Sequence, residues 1–107
     1  MHGMSACWKL RTGSADKRIP RKAAVLYDGK TGRGMETWTT EPFLLTYTGR
    51  LFDGSAVGKQ GPITKFSAML METIHAPNSP NLSWVPTTTL LPGQHFHSVT
   101  EYRFFTR

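Results

Sequence analysis

Threonine, glycine and proline set the strongest limit on this chain: 14 Thr, 10 Gly and 7 Pro are scattered through 107 residues. β-branched Thr favours extended backbone, while Gly and Pro end regular elements. Few stretches are long enough for a helix, so the expected fold is mainly β. At this length one domain is the default. The pattern predicts a small single-domain antiparallel sheet or barrel with at most one helix, an α+β variant being the alternative.

Apolar runs place the strands. Residues 23 to 27 (Ala-Ala-Val-Leu-Tyr) end at the turn signal Asp28-Gly29, and a second candidate strand covers residues 35 to 40, which predicts a hairpin with a basic tip between them. Residues 43 to 48 (Phe-Leu-Leu-Thr-Tyr-Thr) form the clearest strand, with Phe43, Leu45 and Tyr47 on one face and Leu44, Thr46 and Thr48 on the other. Residues 49 to 54 read as a turn and 55 to 61 as a loop. Residues 63 to 75 fit both periods. Ile63, Phe66, Leu70 and Ile74 make a helical stripe after Pro62, and helix is preferred there over alternation. Residues 75 to 81 hold two prolines and two asparagines and read as a loop. Residues 82 to 91 read as an edge strand or bulge broken by Pro86, and residues 94 to 105 as a final strand.

Charge is unevenly spread. The formal net charge is +6, and residues 1 to 33 carry all of it, with eight bases against two acids. The chain therefore divides into a basic N-terminal arm, residues 1 to 22, and a β-rich domain, residues 23 to 107. A basic arm on a neutral body attracts polyanions by its field and by counterion release. The phosphate-contacting candidates are Lys9, Arg11, Lys17, Arg18, Arg21 and Lys22, with Lys30 and Arg33 added at the hairpin tip.

On an extended final strand, His95, His97 and Glu101 share one face at spacings a divalent transition metal can bridge. His95-Phe-His97-Ser-Val-Thr-Glu101 resembles the metal motif of the cupin family, although the glycine of that motif stands further upstream than Gly93. The His-hydrophobic-His pair, with residues 43 to 48, is also similar to motifs of rolling-circle replication endonucleases, whose histidines hold a metal and whose downstream tyrosine attacks phosphate. Tyr102, the only later tyrosine, faces away from the histidines. Residues 47 to 54 are similar to the early strand of binding-protein-type prolyl isomerases, and Gly29-Lys30-Thr31 looks like the end of a phosphate-binding loop whose first glycine is replaced by Ala24. Apart from a divalent metal at the His-x-His strand, no cofactor is called for.

The leading expectation is a non-enzymatic, nucleic-acid-associated basic protein, a phage or viral structural component being one form of it. Its partners would be nucleic acid or another polyanion and further copies of the chain in a homo-oligomer. A protein–protein interaction module, as an inhibitor or assembly subunit, is the alternative, and a metal-dependent enzyme the third reading. No run of 18 apolar residues is present, so no membrane partner is expected. One cysteine, Cys7, leaves no internal disulfide and points to an intracellular setting, cytoplasm or virion.

Overall fold

A computed structural model describes residues 3 to 11 and 18 to 107, and the fold is mainly β. The strands are β1 (Ser5–Lys9), β2 (Arg21–Tyr27), β3 (Arg33–Thr39), β4 (Phe43–Tyr47), β5 (Asp53–Gly58), β6 (Gly61–Thr64), β7 (Leu70–Ile74) and β8 (Thr100–Thr106). They form two three-stranded antiparallel sheets, ordered β1-β4-β7 and β2-β3-β8, and a separate β5-β6 hairpin. Among the described residues the only helical element is one 3-10 turn, Ser79–Asn81.

The β2-β3 hairpin forms as its sequence directs, with a bulge between Lys22 and Ala24. Its turn is fixed by Asp28, whose carboxylate accepts from the Thr31 hydroxyl at 2.7 Å and from the Lys30 backbone N–H at 3.1 Å. Those two bonds, the Thr31 hydroxyl foremost, hold the Asp28 carboxyl below its ordinary range. A depressed folded value means that the turn's contribution is present above the unfolded aspartate value and is lost as pH falls through the lower folded one. Asp28→Asn should therefore lower stability at neutral pH, change little at the acid end and so flatten the acid limb of a stability-against-pH curve, as urea titrations across pH 2 to 7 would show.

The two sheets meet through hydroxyl-rich side chains. Thr37 and Thr39 of β3 are fully buried (0%), Thr37 donating to the Met71 sulfur of β7 at 3.9 Å. The Tyr102 hydroxyl donates to the Met71 carbonyl at 3.2 Å, and the Thr73 and Thr100 hydroxyls lie 2.6 Å apart. Thr46 and Met71 thus face the second sheet. By strand alternation Ser5, Cys7, Lys9, Phe43, Leu45, Tyr47, Leu70, Glu72 and Ile74 face the opposite way.

The step from β3 to β4 is held by Arg21. Its guanidinium donates to the carbonyls of Arg11 (2.8 Å), Thr39 (3.2 Å) and Glu41 (2.9 Å). A planar fork satisfies three carbonyls where an ammonium cannot. Arg21→Lys should lower the urea midpoint, corresponding to about 2 kcal/mol, because bonds from a charged donor to carbonyls contribute roughly 1.5–3 kcal/mol each.

Several expectations are corrected. Residues 63 to 75 are not helical: β6 covers Gly61–Thr64 and β7 Leu70–Ile74, because pairing with β4 satisfies β7 along its whole length. The loop expected at 55 to 61 is mostly the β5-β6 hairpin. Residues 82 to 91 form no strand, and the last strand begins at Thr100, where pairing with Thr39 starts. Within the expected arm, Ser5–Lys9 is an edge strand bonded to β4, and 12 to 17 lie outside the described residues.

Candidate functional site

The expected phosphate-binding set is not one surface. Lys9 lies on the open face of the β1-β4-β7 sheet, its ammonium 5.9 Å from the Trp84 ring centre. Lys22 lies on the far face of the other sheet, bonded to Glu36 at 2.6 Å and placed over Trp38. Arg21 is committed to backbone carbonyls, Arg11 and Arg18 are exposed beside β1 and β2, Lys30 and Arg33 are exposed at the hairpin end, and Lys17 lies outside the described residues. The strand therefore puts the cations on opposite sides of a two-layer body.

The expected metal set is not assembled. His95 and His97 are exposed in the segment before β8, and Glu101 on β8 bonds Arg103 at 2.6 Å. Among the described residues no group of three His, Cys, Asp or Glu side chains is placed to hold a metal ion. The premise of a continuous strand from 94 fails because residues 95 to 98 have no strand to pair with; Val99 is already anchored on Thr40.

A different acid stands out. Among the described residues there are six carboxylate side chains, and five have partners: Asp28 with Thr31, Glu36 with Lys22 and Trp38, Glu41 with His75, Asp53 with Ser55, and Glu101 with Arg103. Glu72 has none, and it is exposed at the centre of β7. In register it lies beside Leu45 of β4, which lies beside Cys7 of β1. Two strand spacings put Cys7 about 10 Å from Glu72.

The surroundings define an open apolar floor. At one end the segment from 75 to 85 folds over the face, where Phe43, Ala76 and Val85 form a buried cluster with Ile74 and Leu82. Glu41 is 6% exposed there and bonds the His75 ring nitrogen Nδ1 at 2.7 Å, which ties this segment to the β3-β4 step. At the other end Tyr47 packs edge-on to Phe52, their ring centres 5.8 Å apart, and the Tyr47 hydroxyl accepts from the Leu51 N–H at 2.7 Å. Trp84, 63% exposed, stands beside Lys9 at the margin. Burial pushes the Cys7 thiol up, so it is protonated at neutral pH.

Glu72 is thus a carboxylate without an internal partner on a partly apolar sheet face rimmed by aromatic rings. The chain is 36% identical over 75 residues to galactose mutarotase of Mus musculus, covering 69% of this chain and 22% of that protein. It is 32% identical over 93 residues to galactose mutarotase of Homo sapiens, covering 86% of this chain and 26% of that protein. It is 32% identical over 84 residues to aldose 1-epimerase of Escherichia coli, covering 77% and 24%. No protein-family model matches. The chain spans about a quarter of the length of the curated relatives it matches.

These similarities overturn the expectation of a nucleic-acid-associated protein, with its phage or viral form, its polyanion partner and its homo-oligomer, and equally the reading as an inhibitor or assembly module. Net charge misled because it is summed over side chains whose positions differ. No helix among the described residues is long and apolar enough to cross a membrane.

Sequence reasoning missed Glu72 because a helix over 63 to 75 turns it away from the Leu70 and Ile74 stripe. Alternation carried the signal. In Leu70-Met71-Glu72-Thr73-Ile74, Glu72 shares a face with Leu70 and Ile74, which places a carboxylate between two aliphatics on the same side of the strand.

Proposed function

We propose that this chain carries part of an aldose 1-epimerase-type site, in which Glu72 serves as the general base at the anomeric carbon of a hexose such as galactose. The observation that supports it is the uncommitted Glu72 carboxylate on the open β1-β4-β7 face, in a chain similar to galactose mutarotases.

The chemistry suits one positioned carboxylate. Interconverting the two anomers requires removal of the proton from the C1 hydroxyl, cleavage of the C1–ring-oxygen bond with protonation of that oxygen, rotation about C1–C2, and reclosure on the other face of the carbonyl. Glu72 takes the hydroxyl proton and returns it on reclosure, while solvent water gives the ring oxygen its proton and takes it back on reclosure, so no redox change and no net proton transfer occur. General acid–base groups contribute about 10²–10⁴-fold each to such steps. Leu45 beneath the sugar excludes water from one side, and the aromatic rings at the rim suit the apolar C–H faces of a pyranose. An intracellular setting belongs to this reading and is supported by the free thiol of Cys7.

Titration of the isotopically labelled chain with galactose, followed through amide NMR signals, tests the placement. Saturable shifts should cluster at Cys7, Leu45 and Glu72. Shifts confined to the β2-β3-β8 sheet, or none, would contradict it.

A further inference from the structure

The chain buries too little of itself. Its accessible surface is 8203 Å², whereas a folded monomer of this mass exposes about 6,000 Å². Its radius of gyration is 16.3 Å, against about 13 Å for a compact domain of this length. Burying the excess of roughly 2,000 Å² takes an interface of the permanent kind, larger than a transient contact.

The place where a layer is lacking can be read from the register. Leu26, Met35 and Phe104 form one rung of the β2-β3-β8 sheet, on the same face as Thr37 and Thr39. Over Thr37 and Thr39 the other sheet supplies Met71 and Thr73, and one rung further it has ended. There the sheets part into a groove of about 840 Å³, floored by that rung and flanked by Phe66 and Met69. Phe104 is 79% exposed although it is on the inward face. A sheet face normally carries a second layer about 10 Å away.

We infer that this groove is the docking surface for a β-sheet polypeptide with one apolar face, belonging to the part of an epimerase-type protein that this chain does not cover. Length identifies the occupant: the matched relatives are about four times as long as the matched region, so most of their sequence has no counterpart here. The occupant continues the β1-β4-β7 layer past Tyr47 and Leu70, covers Leu26, Met35 and Phe104, and so stiffens the sheet that presents Glu72. This identification rests on the epimerase reading.

The test co-expresses the full chain with the part of human galactose mutarotase outside its 93 matched residues, a part first shown by its far-ultraviolet spectrum to be folded on its own. Light scattering after size exclusion should give a one-to-one complex, and the fluorescence of an apolar dye bound to the free chain should fall several-fold. Phe104→Glu, at a side chain too exposed to be needed for folding, should weaken the complex at least tenfold; Val57→Glu on the β5-β6 hairpin should leave it unchanged. Absence of a complex, a self-assembled oligomer that already lacks dye binding, or a Phe104→Glu complex as tight as wild type would overturn the inference. Mass and dye are read without sugar. A complex with no anomer exchange would count against the epimerase reading alone, and anomer exchange without a complex against the docking inference alone.

Discussion

Glu72→Gln should slow the chain-catalysed exchange between α- and β-galactose by a factor of about 10²–10⁴, the usual contribution of one general base. An amide has nearly the shape of a carboxylate but cannot take a proton from the C1 hydroxyl at neutral pH. Because Glu72 is exposed and has no internal partner, the fold does not depend on its charge. The far-ultraviolet spectrum and the urea midpoint of the variant should therefore match wild type, and galactose should still shift the Leu45 amide. Glu36→Gln is the matched control. It removes a carboxylate bonded to Lys22 at 2.6 Å and to the Trp38 indole at 2.8 Å, on the outer face of the other sheet. That variant should lose a little stability and no activity. Equal losses in the two variants would mean that charge in general, and not the position of Glu72, governs the rate.

Gly32→Ala should be the most damaging small substitution for the fold. Gly32 has φ +71°, a conformation that costs a residue with a Cβ roughly 1–2 kcal/mol. An added Cβ would also fall on the Arg107 carbonyl oxygen, which must move to make room while its own N–H is tied to Gly32. Gly32 accepts from the Arg107 N–H at 2.9 Å and donates to the Asp28 carbonyl at 2.9 Å, so its displacement opens the β2-β3 turn and frays β8 together. A total cost of about 3 kcal/mol is expected, a large share of the stability of a small domain. Urea unfolding should show a midpoint lowered with little change in slope. By contrast, Gly93→Ala, also at positive φ (83°) but with nothing within 4 Å, should cost only the conformational part. Similar losses in both would assign the whole effect to φ and remove the Arg107 contact from the explanation.

Local pattern carried much of the fold. The β2-β3 hairpin follows from a strand former, Asp28-Gly29 and a second strand, and β4 from clean alternation behind Pro42. Both depend on neighbouring residues and turn chemistry. Residues 63 to 75 look helical locally because Met69, Leu70, Met71 and Glu72 are good helix formers, and only pairing with β4 decides for strand. The last strand was extended too far toward His95 for the complementary reason: alternation continues, but no partner is there to bond it.

The site was less legible than the fold. Charge density drew attention to Lys9, Arg21 and Lys22, and only three dimensions show that Arg21 holds carbonyls while the other two face opposite ways. His95, His97 and Glu101 shared a face only on a strand that does not exist. Glu72 becomes conspicuous by subtraction, once Asp28, Glu36, Glu41, Asp53 and Glu101 each have a partner. That comparison needs side-chain positions, which sequence spacing does not supply.

The most direct measurement is the rate of magnetisation transfer between the H1 signals of α- and β-galactose in the presence of the chain. The rate should rise in proportion to chain concentration and fall to the buffer rate in Glu72→Gln. A rate indifferent to the chain, or equal in wild type and Glu72→Gln, would contradict the assignment of Glu72 as the base of an epimerase-type site.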